Sequence, residues 1–267
     1  MTSPDRILGG HAILVTRPER QAAGLARLLR ERGAEPVLFP TIEIRAASDP
    51  EPLRRALGQL RAMDLVVFAS ANAVAHAWPA IVAAGGLAIG TAVMAIGEGT
   101  AAALTEAGCD RVVTPAEGAD SEALLATSAL QDVTGRRIAI FSGSGGRELL
   151  ADTLRARGAC VEKVPCYARG RPALDPAPIR ARLACGALSA IIATSSEGVD
   201  NLYAMLAADV VALARLPHVV PHQRIAATLR RHGADLVTVT RSGDAALVDA
   251  LPGVLALRVQ ADPLHST

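Results

Sequence analysis

The 267-residue sequence predicts a doubly wound α/β fold present in two copies. Three observations carry that expectation. One segment returns at a constant offset, short apolar runs have the length of buried strands, and the stretches between them carry apolar residues at helical spacing. The returning segment is ILVTRPERQAAGLARLLRERGAEPVLFP from Ile13, which aligns with IAIFSGSGGRELLADTLRARGACVEKVP from Ile138, an offset of 125 positions. Leu29 then falls on Leu154, Gly33 on Gly158 and Pro40 on Pro165. Without a gap, DLVVFASANAV from Asp64 meets SAIIATSSEGV from Ser189, and AGCDRVV meets HGADLVT. One register held over that length identifies the chain as an internal duplication.

Within a copy, Ala12–Val15, Leu65–Phe68, Val93–Ile96 and Arg111–Val113 read as buried parallel strands of about 4–6 residues. In the first intervening helix Leu25, Leu28 and Leu29 share one face, while Arg27, Arg30 and Glu31 take the other. Gly33 follows where a helix-ending glycine belongs. Alternation of strand and helix implies a parallel sheet with helices on both faces. Two such lobes joined by short segments imply a cleft between them, a usual place for a ligand.

Composition narrows the partners. Apolar residues make up 51% of the chain, but it holds only one Trp, two Tyr and three Phe, so Ala, Leu and Val must build the core. A net charge of +1 argues against a nucleic-acid or acidic-membrane partner. Met1 to Gly10 holds no apolar run of signal-peptide type, and no stretch reaches the roughly 18–20 apolar residues that span a bilayer. Cys109, Cys160, Cys166 and Cys185 form no C-x-x-C pair and no metal-ligand spacing. The expectation is a cytoplasmic protein with reduced thiols.

Ligands of open α/β sheets bind beyond the carboxyl ends of the strands. The residues there are Thr16-Arg17-Pro18, Ala69-Ser70-Ala71-Asn72, Gly97-Glu98-Gly99-Thr100, Ser142 to Arg147, Thr194-Ser195-Ser196-Glu197 and Pro221-His222-Gln223-Arg224. Most are glycine or hydroxyl residues that open a helix. They serve either as ordinary N-caps or as donors of backbone N–H groups to carboxylates and phosphates. Gly97 to Ala102 fits G-x-G-x-x-A, but its repeat counterpart from His222 has no glycine, which favours packing over dinucleotide binding. Ser142 to Arg147 lacks the ending of a phosphate-binding P-loop, and no G-x-S-x-G elbow or metal-binding histidine pattern occurs. Tyr167, beside Pro165 and Cys166, either packs at a lobe junction or donates a proton there.

Val15-Thr16-Arg17-Pro18, Ser70-Ala71-Asn72-Ala73-Val74, Ile96-Gly97, Gly145-Gly146-Arg147-Glu148-Leu149-Leu150, Pro165-Cys166-Tyr167, Thr194-Ser195-Ser196-Glu197 and His222-Gln223-Arg224-Ile225-Ala226 occur in that order. Together they resemble the uroporphyrinogen-III synthase family from about Ile13 to Leu251. The resemblance implies two flavodoxin-like lobes joined by a two-stranded connector. Lobe one takes residues 1–38 and 171–267, lobe two 44–166, and the connector 39–43 and 167–170. It implies a cofactor-free, metal-free enzyme that closes linear hydroxymethylbilane into uroporphyrinogen III, losing water and inverting the terminal pyrrole. A monomer acting on a polycarboxylate small molecule, with hand-over from hydroxymethylbilane synthase, completes the expectation. Tyr167 would assist loss of the hydroxyl. Arg17, Ser70, Ala71, Asn72, Gly97, Thr100, Arg147, Thr194, Ser195, Ser196, His222 and Arg224 would bind the carboxylate arms. Ser142 stands where many relatives carry arginine, which removes one expected charge. The alternative is a non-catalytic two-lobed binding or regulatory protein on the same fold.

Overall fold

A computed structural model describes residues 6–145 and 148–261. Among these, the strands are β1 (Ala12–Val15), β2 (Glu35–Leu38), β3 (Glu43–Ala46), β4 (Leu65–Phe68), β5 (Ala92–Ala95), β6 (Arg137–Gly143), β7 (Cys160–Gly170), β8 (Ala190–Ile192), β9 (His218–Val220) and β10 (Val237–Val239). The chain divides into two compact units: the first runs to Glu43 and resumes at Gly170, and the second is Ile44–Arg169.

In the first unit the sheet order is β10-β9-β8-β1-β2, with parallel pairing throughout. All four β1 residues are buried because helices cover both faces of the sheet. Alternate residues feed different cores. Ala12 and Leu14 pack with Ile191, Val199 and Leu229 on one face; Ile13 and Val15 pack with Leu25, Leu29 and Leu247 on the other. The helix Glu19–Glu31 buries Ala22, Leu25, Ala26 and Leu29 and turns Arg27 and Glu31 outward as an ion pair at 2.6 Å. Gly33 ends it at φ +87°, a conformation that other residues resist.

The second unit orders its strands β3-β7-β6-β4-β5, and β7-β6-β4-β5 pair in parallel. Val66 and Phe68 enter one core with Phe141, Trp78 and Tyr167, while Leu65 and Val67 enter the other with Ile138, Ile140 and Leu154. The rings of Phe68 and Phe141 stack at 5.0 Å. Strand registers in the two sheets differ by the same 125 positions. Ala12 pairs with Glu35 as Arg137 does with Cys160, and Ile13 with Ala190 as Ile138 does with Leu65.

Two strand expectations shift. The run expected at Val93–Ile96 is β5, one residue earlier. Arg111–Val113 forms only an isolated parallel bridge from Val113 to Met94, where β10 pairs Thr238 with Val219 over a full strand. Val113 is an edge position 44% exposed, and Pro115, two residues on, has no N–H to extend a ladder.

His218 opens β9 with no exposed surface, and neither ring nitrogen makes a hydrogen bond among the described residues. Burial pushes its pKa down from 6.5 to about 4, with the nearby Leu216 backbone acting in the opposite direction.

Two outcomes are expected. Phe141→Ala removes half of the stacked pair and lowers the stability of the second unit by about 3–5 kcal/mol, read from urea denaturation by circular dichroism. The unfolded chain protonates His218 near pH 6.5 and the folded chain only near pH 4, so its contribution to stability falls as pH drops through that window. The slope reaches about 1.4 kcal/mol per pH unit, and a His218→Val variant should lack that component when urea midpoints at pH 7 and pH 5 are compared.

Candidate functional site

At the carboxyl edge of the second sheet, the end of β7 carries Tyr167, only 2% exposed. The register of β7 against β6 shifts there: Ser142 faces Pro165, but Gly143 faces Tyr167. A regular strand would turn Cys166 and Tyr167 to opposite faces, yet both lie in the same core cluster. The phenol ring presses on the Gly143 backbone so closely that a Cβ there would sit 2.7 Å from the ring carbon bearing the hydroxyl. The main chain is also held, since the Ser144 N–H donates to the Tyr167 carbonyl at 2.8 Å.

The Tyr167 hydroxyl lies 3.0 Å from Ser70 Oγ. Ser70 follows β4 and caps the helix Ala71–Ala83, its Oγ accepting from the Ala73 N–H at 3.1 Å. Arg169 Nη2 donates to the same tyrosine oxygen at 3.4 Å, and His76 stacks on the ring with centroids 5.8 Å apart. The structure thus brings Ser70 and Tyr167 together and adds Arg169 and His76. The Cys166 thiol donates toward the Ser142 and Ala73 carbonyls, and burial pushes its pKa up to about 12, so it stays protonated.

The neighbouring turns are less engaged. Ala71 is exposed and Asn72 half-buried at the start of the Ser70-capped helix. Gly97 follows β5, and a Cβ on it would meet that of Ala119 at 2.6 Å, so packing requires this glycine. Thr100 is buried one turn along. Ser142 donates to the Gly143 carbonyl. Arg147 lies outside the described residues.

In the first unit, Arg17 follows β1. It donates from Nε to Thr194 Oγ1 at 3.3 Å and from Nη1 to Asp244 at 2.6 Å, so its charge is compensated. Ser195 follows β8 and caps the helix Ser196–Met205 through the Gly198 N–H at 3.0 Å, the same cap as Ser70 at the 125-residue offset. Ser196 Oγ is buried and makes no hydrogen bond among the described residues. His222 and Arg224 stand exposed at the start of the helix after β9. Tyr203 is core: its ring stacks on His232 at 4.3 Å, and burial pushes its pKa up to about 12. Among the described residues, no three His, Cys, Asp or Glu side chains gather as a metal site, and no helix is long and apolar enough to cross a membrane.

Three participants escaped the sequence reading. Arg169 was legible, since residues two apart on a strand share a face and Tyr167 had been singled out. His76 lies inside the helix Ala71–Ala83, beyond the turn that opens it, and Asp244 is 227 positions from the arginine it pairs with; neither left a local signal.

The family model described as uroporphyrinogen-III synthase HemD matches residues 23–249. Among curated proteins, uroporphyrinogen-III synthase of Salmonella typhimurium is 35% identical over 205 residues, covering 73% of this chain and 79% of that protein. The Escherichia coli protein of the same name is 33% identical, covering 73% and 80%. Among solved structures, a mutant uroporphyrinogen III synthase from Thermus thermophilus aligns with a TM-score of 0.59 at 23% identity, covering 94% of this chain and all of that one. The Helicobacter pylori uroporphyrinogen-III synthetase aligns at 0.57 and 13% identity, covering 93% and 99%. At those identities the structures speak for the shared fold alone, whereas the sequence matches span most of the chain: it belongs to the uroporphyrinogen-III synthase family.

Proposed function

We propose that this chain is the cyclising hydro-lyase that converts hydroxymethylbilane to uroporphyrinogen III, with Tyr167 as the group that assists departure of the hydroxyl. Family membership carries the reaction, and the paired hydroxyls of Ser70 and Tyr167 carry the residue assignment. A non-catalytic binding protein is the weaker reading, because the curated relatives at 33–35% identity bear the synthase name.

The chemistry asks little covalent work of the protein. The hydroxymethyl oxygen takes the Tyr167 proton and leaves as water, giving an azafulvene-like cation. The terminal pyrrole attacks at its substituted carbon to form a spiro intermediate, which fragments and recloses with that ring inverted. The proton then lost from pyrrole carbon restores the phenol. Folding the linear tetrapyrrole so that its ends meet accounts for most of the rate gain, and a placed proton donor adds about 10²–10⁴-fold.

Carboxylate arms would be met by helix N-termini, whose N–H groups and partial positive charge favour anions. Ser70, Ala71, Asn72, Gly97 and Thr100 supply two such ends in the second unit. Thr194, Ser195, Ser196, His222 and Arg224 supply two in the first. Ser196 is the most pointed of these, having a buried hydroxyl without a protein partner among the described residues. Arg17 would act chiefly by orienting Thr194, since Asp244 already neutralises it, and Arg147, outside the described residues, would add charge.

We further infer that the chain arose by duplication; the equal offset of both strand registers supports this. On that reading, residues 1–38 and 171–267 form one lobe and 44–166 the other. Residues 39–43 and 167–170 are the two-stranded connector, in keeping with β3 lying beside β7. A cytoplasmic monomer receiving its labile substrate from hydroxymethylbilane synthase completes the proposal.

The test is a coupled assay that separates uroporphyrin I from III after oxidation. Predominant isomer III is expected; isomer I alone, the spontaneous product, would leave only the binding-protein reading. Tyr167→Phe should lower kcat by about 100-fold with little change in KM or thermal midpoint. Ser195→Ala should cost about 1 kcal/mol of stability through its lost cap and raise KM more than it lowers kcat, read by thermal denaturation and steady-state kinetics.

A further inference from the structure

We propose that Arg169 is a positioning residue that turns the Tyr167 hydroxyl proton outward, so that Tyr167 meets the substrate as a donor. This inference rests on the donor role assigned to Tyr167. An arginine side chain has only N–H donors and no acceptor, so its contact with Tyr167 Oη at 3.4 Å fixes that oxygen as the acceptor. Ser70 Oγ already accepts from the Ala73 N–H, and its own O–H remains to be given. Tyr167 Oη lies within its reach at 3.0 Å and can accept it. With Arg169 and Ser70 both donating, the two acceptor positions of the phenol oxygen are filled, and its own proton is left for the leaving hydroxyl.

Strand geometry makes the arrangement reproducible. Residues 167 and 169 are two apart on β7, so their side chains leave the same face, and the Arg169 guanidinium carbon lies 6.0 Å from the tyrosine ring centroid. The ring itself has little freedom, held between the Gly143 backbone and the imidazole of His76. When the proton passes to the hydroxymethyl oxygen and the C–O bond breaks, negative charge develops on Oη. The guanidinium is the fixed cation that meets it. Final loss of a proton from the closing pyrrole carbon returns the phenol and balances the step.

A double-mutant cycle tests this. Arg169→Gln should lower kcat about tenfold, the scale of one hydrogen bond to a charged group, with KM and the share of isomer III unchanged. Because Arg169 is exposed, the thermal midpoint should stay near that of the parent. Arg169→Lys, which keeps a charged donor, should recover kcat to within about threefold of the parent. In the Tyr167→Phe background, Arg169→Gln should cost less than about twofold, because the oxygen it acts through is gone. An equal loss in both backgrounds, or a raised KM with kcat unchanged, would overturn the inference and assign Arg169 to direct contact with a carboxylate arm. Parental kcat in Tyr167→Phe alone would instead remove the donor role of Tyr167 and this inference with it.

Discussion

Everything in this molecule hangs on parallel strands that are covered on both faces. A strand such as Ala12–Val15 has no solvent side, so each residue must satisfy one of two cores, and successive residues serve opposite ones. Sliding the strand by one position would exchange the two sets and mismatch both. Register is therefore held by packing as well as by hydrogen bonds. That constraint repeats in the second unit, where Val66 and Phe68 part from Leu65 and Val67. With the strands so fixed, their carboxyl ends and the turns that follow are placed to within narrow limits, and Tyr167, Ser70, Arg17 and Ser195 all stand there.

The site relaxes this rule at one point. Two successive residues of β7, Cys166 and Tyr167, are buried in the same cluster because the ladder slips against β6. The slip brings a large ring, in a chain with few, to the sheet edge beside Ser70. A helix cap, a bulge and a glycine each have a structural role, and together they hold a phenol oxygen among donors. No metal, thiolate or serine nucleophile takes part in this reading. That suits a reaction whose difficulty is the folding and orientation of its own substrate.

Much of this was legible beforehand, for reasons that differ by element. Ala12–Val15 and Leu65–Phe68 were found because an apolar run of strand length has few other uses, and Gly33 because a glycine directly after a helical run suits the left-handed helix end. The repeat supplied the rest of the framework. Arg111–Val113 read as a strand because composition cannot tell an edge bridge from a ladder. Arg17 read as a charge offered to the carboxylate arms, and its pairing with Asp244 left no signal because that partner is remote in sequence. Tyr167 was singled out for rarity and setting, but its burial and its contact with Ser70 depend on a one-residue slip that leaves no trace in residue type.

The contact between Gly143 and Tyr167 also constrains how the protein can change. A methyl group at position 143 would overlap the phenol ring, so that position stays closed while the ring is present. Replacing the ring with something smaller would open it. The two positions are thus a one-way pair in which 167 must change before 143 can. A lineage that lost the tyrosine and then filled the space with a side chain at 143 could regain the phenol only after position 143 had returned to glycine.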